Sequence, residues 1–84
     1  MTLGVYSLQK VLFRGEVREV NCRTKMGEIT ILNHHRPLIS ILTKGTMKIV
    51  DENQKEWYIP VSSGFLEVNS NNQAKILVEE DKPQ

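Results

Sequence analysis

The chain has 84 residues, of which 39% are hydrophobic and 25% charged, an ordinary balance for one small globular domain and too apolar for a disordered segment. A chain this short buries only roughly 60–65% of the surface that its unfolded form exposes, so little of its core can be given up to a deep catalytic cleft. Eleven basic against ten acidic residues leave a net charge of +1, which argues against a protein that works by neutralising many phosphates. The halves lean only from +3 over residues 1–42 to −2 over residues 43–84, too little to make a basic or acidic tail.

The apolar pattern is short and repeatedly interrupted, which predicts strands rather than helices. Leu3, Val5 and Tyr6 begin a first strand, and Val11, Leu12 and Phe13 form a second apolar group. From Gly15 a run carries Val17, Val20 and Cys22, and the spacing of three between the valines calls for a bulge or bend if both point inward. Lys25, Met26 and Gly27 make a turn into Ile29–Ile31, and residues 33–37 form a polar loop, since Pro37 has no N–H for a central ladder. Strands resume at Leu38–Leu42 and Met47–Val50, then a hairpin turn at Asp51–Gln54 leads into Lys55–Ile59, with Trp57 and Ile59 on one face. Ser62, Ser63 and Gly64 read as a break before Phe65–Val68, and Asn69–Asn72 as a turn before Ala74–Val78. Turns every 8–12 residues or so point to an antiparallel sandwich or flattened barrel. The expected core is Val17, Val20, Ile29, Ile31, Ile41, Ile49, Ile59, Leu66 and Val78, with one domain over residues 1–79 and a charged, frayed tail over 80–84.

Residues that carry chemistry are sparse. His34 and His35 are adjacent on an extended segment, so they point to opposite faces and chelate one metal poorly. Cys22, the lone cysteine, excludes an internal disulfide and fits a reducing compartment, and its place in a strand rhythm makes it a small buried hydrophobe. Ser62-Ser63-Gly64 does not fit a Gly-x-Ser-x-Gly elbow, and the five glycines are scattered rather than gathered in a phosphate loop. Glu16, Glu19 and Glu28 read as solvated strand-edge residues. No catalytic residue, cofactor or metal site is therefore expected, and an enzyme with a pocket at Cys22 and a histidine stands as a distant rival. Trp57, Tyr58 and Phe65 suggest an alternative of another class, a freestanding barrel that stacks single-stranded nucleic acid, though Glu56 beside Trp57 and the near-neutral charge oppose it, and two of the three are expected in the core.

The segment from Gly27-Glu28-Ile29-Thr30-Ile31 through His35-Arg36-Pro37-Leu38 resembles the N-terminal domain of the epsilon subunit of F-type ATP synthases, with its Gly-Glu-(apolar)-(small)-(apolar)-x-x-x-His-x-Pro-Leu run. Phe13-x-Gly15-x-Val17, Gly45-x-Met47-x-Ile49 and Ser63-Gly64-Phe65-Leu66-Glu67-Val68 keep the family order, so the likeness covers residues 3–79. It departs where the family carries Pro-Gly and this chain has Asn33-His34, and where Phe65 stands for a second glycine. The resemblance implies a ten-stranded flattened β-sandwich without the family's C-terminal helical hairpin. It also implies a non-catalytic rotor subunit that links the gamma subunit to the c-ring, peripheral at the cytoplasmic face of the inner membrane and monomeric when isolated. By the same likeness Glu28, Asn33, His34, His35, Arg36, Pro37 and Leu38 would form the c-ring and gamma interface, with Glu28 and His35 exposed in the isolated domain.

Overall fold

The computed structural model describes residues 1–80, and among these the regular structure is all β. Seven strands follow in chain order: β1 (Thr2–Tyr6), β2 (Val11–Thr24), β3 (Gly27–Leu32), β4 (Leu38–Leu42), β5 (Gly45–Asp51), β6 (Glu56–Val68) and β7 (Gln73–Glu80). The ten strands implied by the resemblance are fewer here because β2 and β6 are long and each serves two sheets. The first half of β2 pairs with β1, and its second half with β3 and β5. The first half of β6 pairs with β5, and its second half lies between β4 and β7. One sheet therefore runs β3, β2, β5, β6, and the other runs β2, β1, β7, β6, β4. The two long strands close them into a flattened barrel, in which β1 and β7 form a parallel pair and the remaining pairs are antiparallel.

The crossings explain two features of the sequence. The ladder of β2 with β5 slips between Val17 and Glu19, the bulge that three-residue spacing required, and both Val17 and Val20 are fully buried. The expected break at Ser62-Ser63-Gly64 does not occur. The strand runs through it, with its register against β7 shifted between Val61 and Ser63, so the chain changes sheets without leaving the ladder. Pro60 is tolerated inside β6 because that half of the strand pairs only with β5, and its missing N–H falls on the open side.

Leu3, Val5, Val17, Val20, Ile31, Ile49, Leu66 and Ile76 are completely buried between the sheets, each worth roughly 1.5–3 kcal/mol in apolar burial. Val78 joins them, while Ile29 and Ile59 are half-buried against the cluster. Ile41 is not in the core and is 50% exposed. On β4 the two-residue period turns Leu38, Ser40 and Leu42 inward and Ile39 and Ile41 outward. The segment is apolar on both parities, so sequence alone could not choose between them. The aromatics also depart from expectation, since none is in the core. Trp57 does face inward, opposite Ile49, but at the rim of the barrel, where the Phe13 ring meets it edge-on at 5.5 Å and the Lys55 ammonium sits 4.2 Å from its centroid. Tyr58 and Phe65 lie on the outer faces of opposite sheets. β7 extends to Glu80 and so includes the first residue assigned to the tail, whose other residues, 81–84, lie outside the described residues.

Candidate interface surfaces

Two surfaces of contrasting chemistry emerge. The first surrounds the edge strand β3. At its start the β2–β3 hairpin is built by Thr24, a buried polar residue whose hydroxyl donates to the Gly27 carbonyl at 2.7 Å and accepts the Met26 N–H at 3.1 Å. Gly27 has φ 113°, a conformation that a β-carbon disfavours. The Lys25 N–H donates to the Ile41 carbonyl and the Thr43 N–H to the Arg23 carbonyl, so β4 clamps the hairpin from the side. On this rigid end Glu28 is exposed, directly across the ladder from Arg23. Met26, 92% exposed at the tip, was not among the residues expected here.

At the far end of β3 lies loop 33–37. The His35 N–H donates to the Leu32 carbonyl at 3.2 Å, closing a turn in which His34 has φ 61°. That left-handed conformation is the one a glycine adopts readily, and the departure from the resemblance noted at Asn33-His34 is accommodated in it. Asn33 accepts a hydrogen bond from the Met1 ammonium through Oδ1, and the His34 N–H donates to Oδ1 of Asn72 at 2.7 Å. Asn33, His34, Arg36 and Pro37 are exposed, and Leu38 is half-buried. His35, expected to be exposed, is half-buried, and its Nδ1 turns back to donate to the Arg36 carbonyl at 2.8 Å. Four residues of extended chain put Glu28 about 13 Å from Leu32, where the loop begins. The structure therefore does not cluster the predicted residues. It sets them at two ends of one strand, joined by the exposed outward side chains of Thr30 and Leu32.

The second surface is the outer face of the other sheet, which the sequence reading missed. Ile41 pairs with Phe65, Phe65 with Leu77, Leu77 with Tyr6, and Tyr6 with Val11. These pairings lay one apolar row across five adjacent strands. Ile41, Phe65, Leu77 and Val11 are 50%, 42%, 50% and 54% exposed. The signal was present in segments apolar on both parities, Ile39–Leu42, Phe65-Leu66 and Ile76–Val78, a pattern found in strands covered on both faces. The outer face of the first sheet is polar by comparison, with a row of Thr30, Asn21, Lys48 and Tyr58. There the Asn21 amide donates to the Thr30 hydroxyl at 2.9 Å, and the Tyr58 hydroxyl donates to Glu56 at 2.5 Å, lowering the Glu56 pKa and raising that of Tyr58. Cys22 is buried, and burial pushes its thiol up to about 11, so it is protonated at neutral pH.

The chain matches the family described as the ATP synthase Delta/Epsilon chain beta-sandwich domain over residues 1–83. It is 37% identical over 76 residues to the ATP synthase epsilon chain of Dichelobacter nodosus, covering 90% of this chain and 52% of that one. It is also 37% identical over 68 residues to the epsilon chain of Brevibacillus brevis, covering 81% and 52%. A chain in the OSCP/F1/c-ring structure of the Euglena gracilis mitochondrial ATP synthase superposes with a TM-score of 0.87 at 26% identity, covering 96% of this chain and 51% of that one. A chain from the Tetrahymena thermophila mitochondrial ATP synthase shares the fold, with a TM-score of 0.81 at 16% identity, over 95% and 63%. This chain thus spans about half the length of the curated relatives it matches. Its strand topology, its motifs in order and a family match over nearly its whole length together make it a member of the ATP synthase delta/epsilon chain beta-sandwich family.

Proposed function

We propose that this domain is the β-sandwich of a central-stalk subunit of an F-type ATP synthase, non-catalytic, joining the gamma subunit to the c-ring so that rotation passes between them. The observation that carries this reading is the pairing of a polar, hydrogen-bonded edge with an apolar outer face on one rigid barrel, a design suited to two different neighbours. The relatives are named as epsilon chains, and the Euglena complex includes a c-ring. The polar edge, from Glu28 to loop 33–37, would meet the c-ring. There a carboxylate and backbone groups form a joint that weakens as salt rises. Pro37 stiffens the loop and reduces the ordering cost of docking. The apolar row through Phe65 and Leu77 would pack against gamma, since a contiguous exposed apolar face marks a protein contact. With gamma absent the domain is read as a monomer, and membrane contact would come only through the complex.

The test is ATP-driven ion pumping in reconstituted membranes, with attachment to the complex measured alongside. Glu28→Ala with His35→Ala should weaken coupling or attachment while leaving the isolated fold intact. Phe65→Ser with Leu77→Ser should release the domain from gamma, because buried aromatic anchors dominate such contacts. Normal attachment and pumping in both double variants would refute the reading.

A further inference from the structure

We infer that Asn72 is a positioning residue for loop 33–37, holding it through its side-chain oxygen in the shape that a partner meets. The inference rests on reading that loop as an interface. Asn72 is remote in sequence, in the turn between β6 and β7, yet its Oδ1 accepts the His34 N–H at 2.7 Å. His34 occupies a left-handed conformation that a side chain disfavours, so its turn needs an outside restraint that glycine would not. Asn72 is left-handed too, with φ 58°, a conformation asparagine tolerates better than most residues.

The β6–β7 turn does not need the Asn72 side chain for its own closure. Asn69 does that work, its Oδ1 accepting the N–H groups of Asn71 at 2.8 Å and Gln73 at 3.2 Å. The Asn72 side chain is thus available to reach outward, while its backbone carbonyl accepts the Thr2 N–H at 3.1 Å and ties down the start of β1. One residue therefore fastens both the first strand and the loop to the same turn. The requirements combine an acceptor oxygen of fixed reach with tolerance of positive φ, which limits the position to asparagine or aspartate.

The experiment compares the unaltered chain with Asn72→Gly, which keeps the backbone freedom and removes the oxygen, and Asn72→Asp, which keeps both. Amide exchange at His34 is read by NMR, and attachment is measured to an ATP synthase preparation depleted of its epsilon chain. In Asn72→Gly the His34 amide should exchange roughly five- to tenfold faster, the loss of one hydrogen bond, and attachment should weaken. Asn72→Asp should match the unaltered chain in both. Unchanged His34 exchange in Asn72→Gly overturns the inference, as does faster exchange with undiminished attachment. Should Asn72→Gly fail to fold, the temperature dependence of the His34 amide shift in the unaltered chain is read instead: a weak dependence supports the bond to Asn72, and the dependence of a solvent-bonded amide overturns it. If the unaltered chain itself does not attach, the stalk reading falls, and His34 exchange alone still decides whether Asn72 holds the loop.

Discussion

Gly64 of β6 lies between two neighbouring strands, paired with Leu42 of β4 on one side and Val78 of β7 on the other. A β-carbon added there would lie 2.6 Å from the Leu77 backbone carbonyl oxygen, 3.3 Å from a Val78 methyl and 3.4 Å from a Leu42 methyl. The nearest obstacle is backbone, so no rotamer change relieves it, and β6 must move away from β7 along a ladder that helps to close the barrel. Overpacking of this kind costs roughly 1–3 kcal/mol, and the backbone clash places Gly64→Ala near the top, at about 3 kcal/mol. A domain of this length has on the order of 4–12 kcal/mol of stability in all. At about 4–8 °C per kcal/mol, the melting midpoint should fall by roughly 12–24 °C. Gly15→Ala is the matched control. Its β-carbon would meet only the Phe13 ring, at 3.9 Å, and the substitution should leave the midpoint unchanged or raise it by roughly 2–8 °C, the equivalent of the ~0.4–1 kcal/mol that a less flexible unfolded chain supplies. Thermal melts followed by circular dichroism decide the matter. A Gly64→Ala midpoint within about 2 °C of the unaltered chain, or an equal loss in Gly15→Ala, would refute the reasoning.

Glu28→Ala and His35→Ala should each change the stability of the isolated domain by less than roughly 0.5 kcal/mol, measured by urea unfolding. A larger loss would make these residues structural rather than interfacial. Cys22 ionises near 9.0 when unfolded and at about 11 when buried, so its contribution to stability is complete below pH 9 and is lost as pH rises through that interval; Cys22→Ser should flatten the alkaline decline in melting midpoint. The Trp57 indole N–H donates to Asp51 at 3.1 Å, and this bond is the main cause holding the Asp51 carboxylate below its ordinary pKa. The Asp51 contribution is therefore present above the ordinary carboxylate range and disappears as pH falls through the depressed value. Trp57 fluorescence should show an acid transition that Asp51→Asn abolishes, and persistence of that transition would assign it to another group.

The strands were legible because their causes are local. A two-residue apolar period, ended by Gly27, by the Asn33–Pro37 loop and by the Asp51 and Asn69 turns, is set by each segment's own side chains and backbone preferences. The bulge near Val17 was legible for the same reason, since two valines three apart can both be buried only if the backbone gains a residue. The ordered motifs from Phe13 to Val68 carried the family, and with it the candidate loop and Glu28.

Tertiary structure decided what depends on neighbours distant in sequence. Ile39 and Ile41 could have been buried instead of Leu38 and Leu42, and only pairing with β6 settled which parity faced in. Trp57 points inward but reaches the rim, because its depth is set by where β2 and β5 end and not by its own strand. The apolar row exists only because β4, β6, β7, β1 and β2 lie side by side, bringing together residues from Tyr6 to Leu77. The hydrogen bond from His34 to Asn72 spans 38 positions, so no local pattern could announce it. Periodicity and turn chemistry act over a few residues and so can be read from sequence, whereas sheet order and the choice of buried face minimise exposed apolar area over the whole chain.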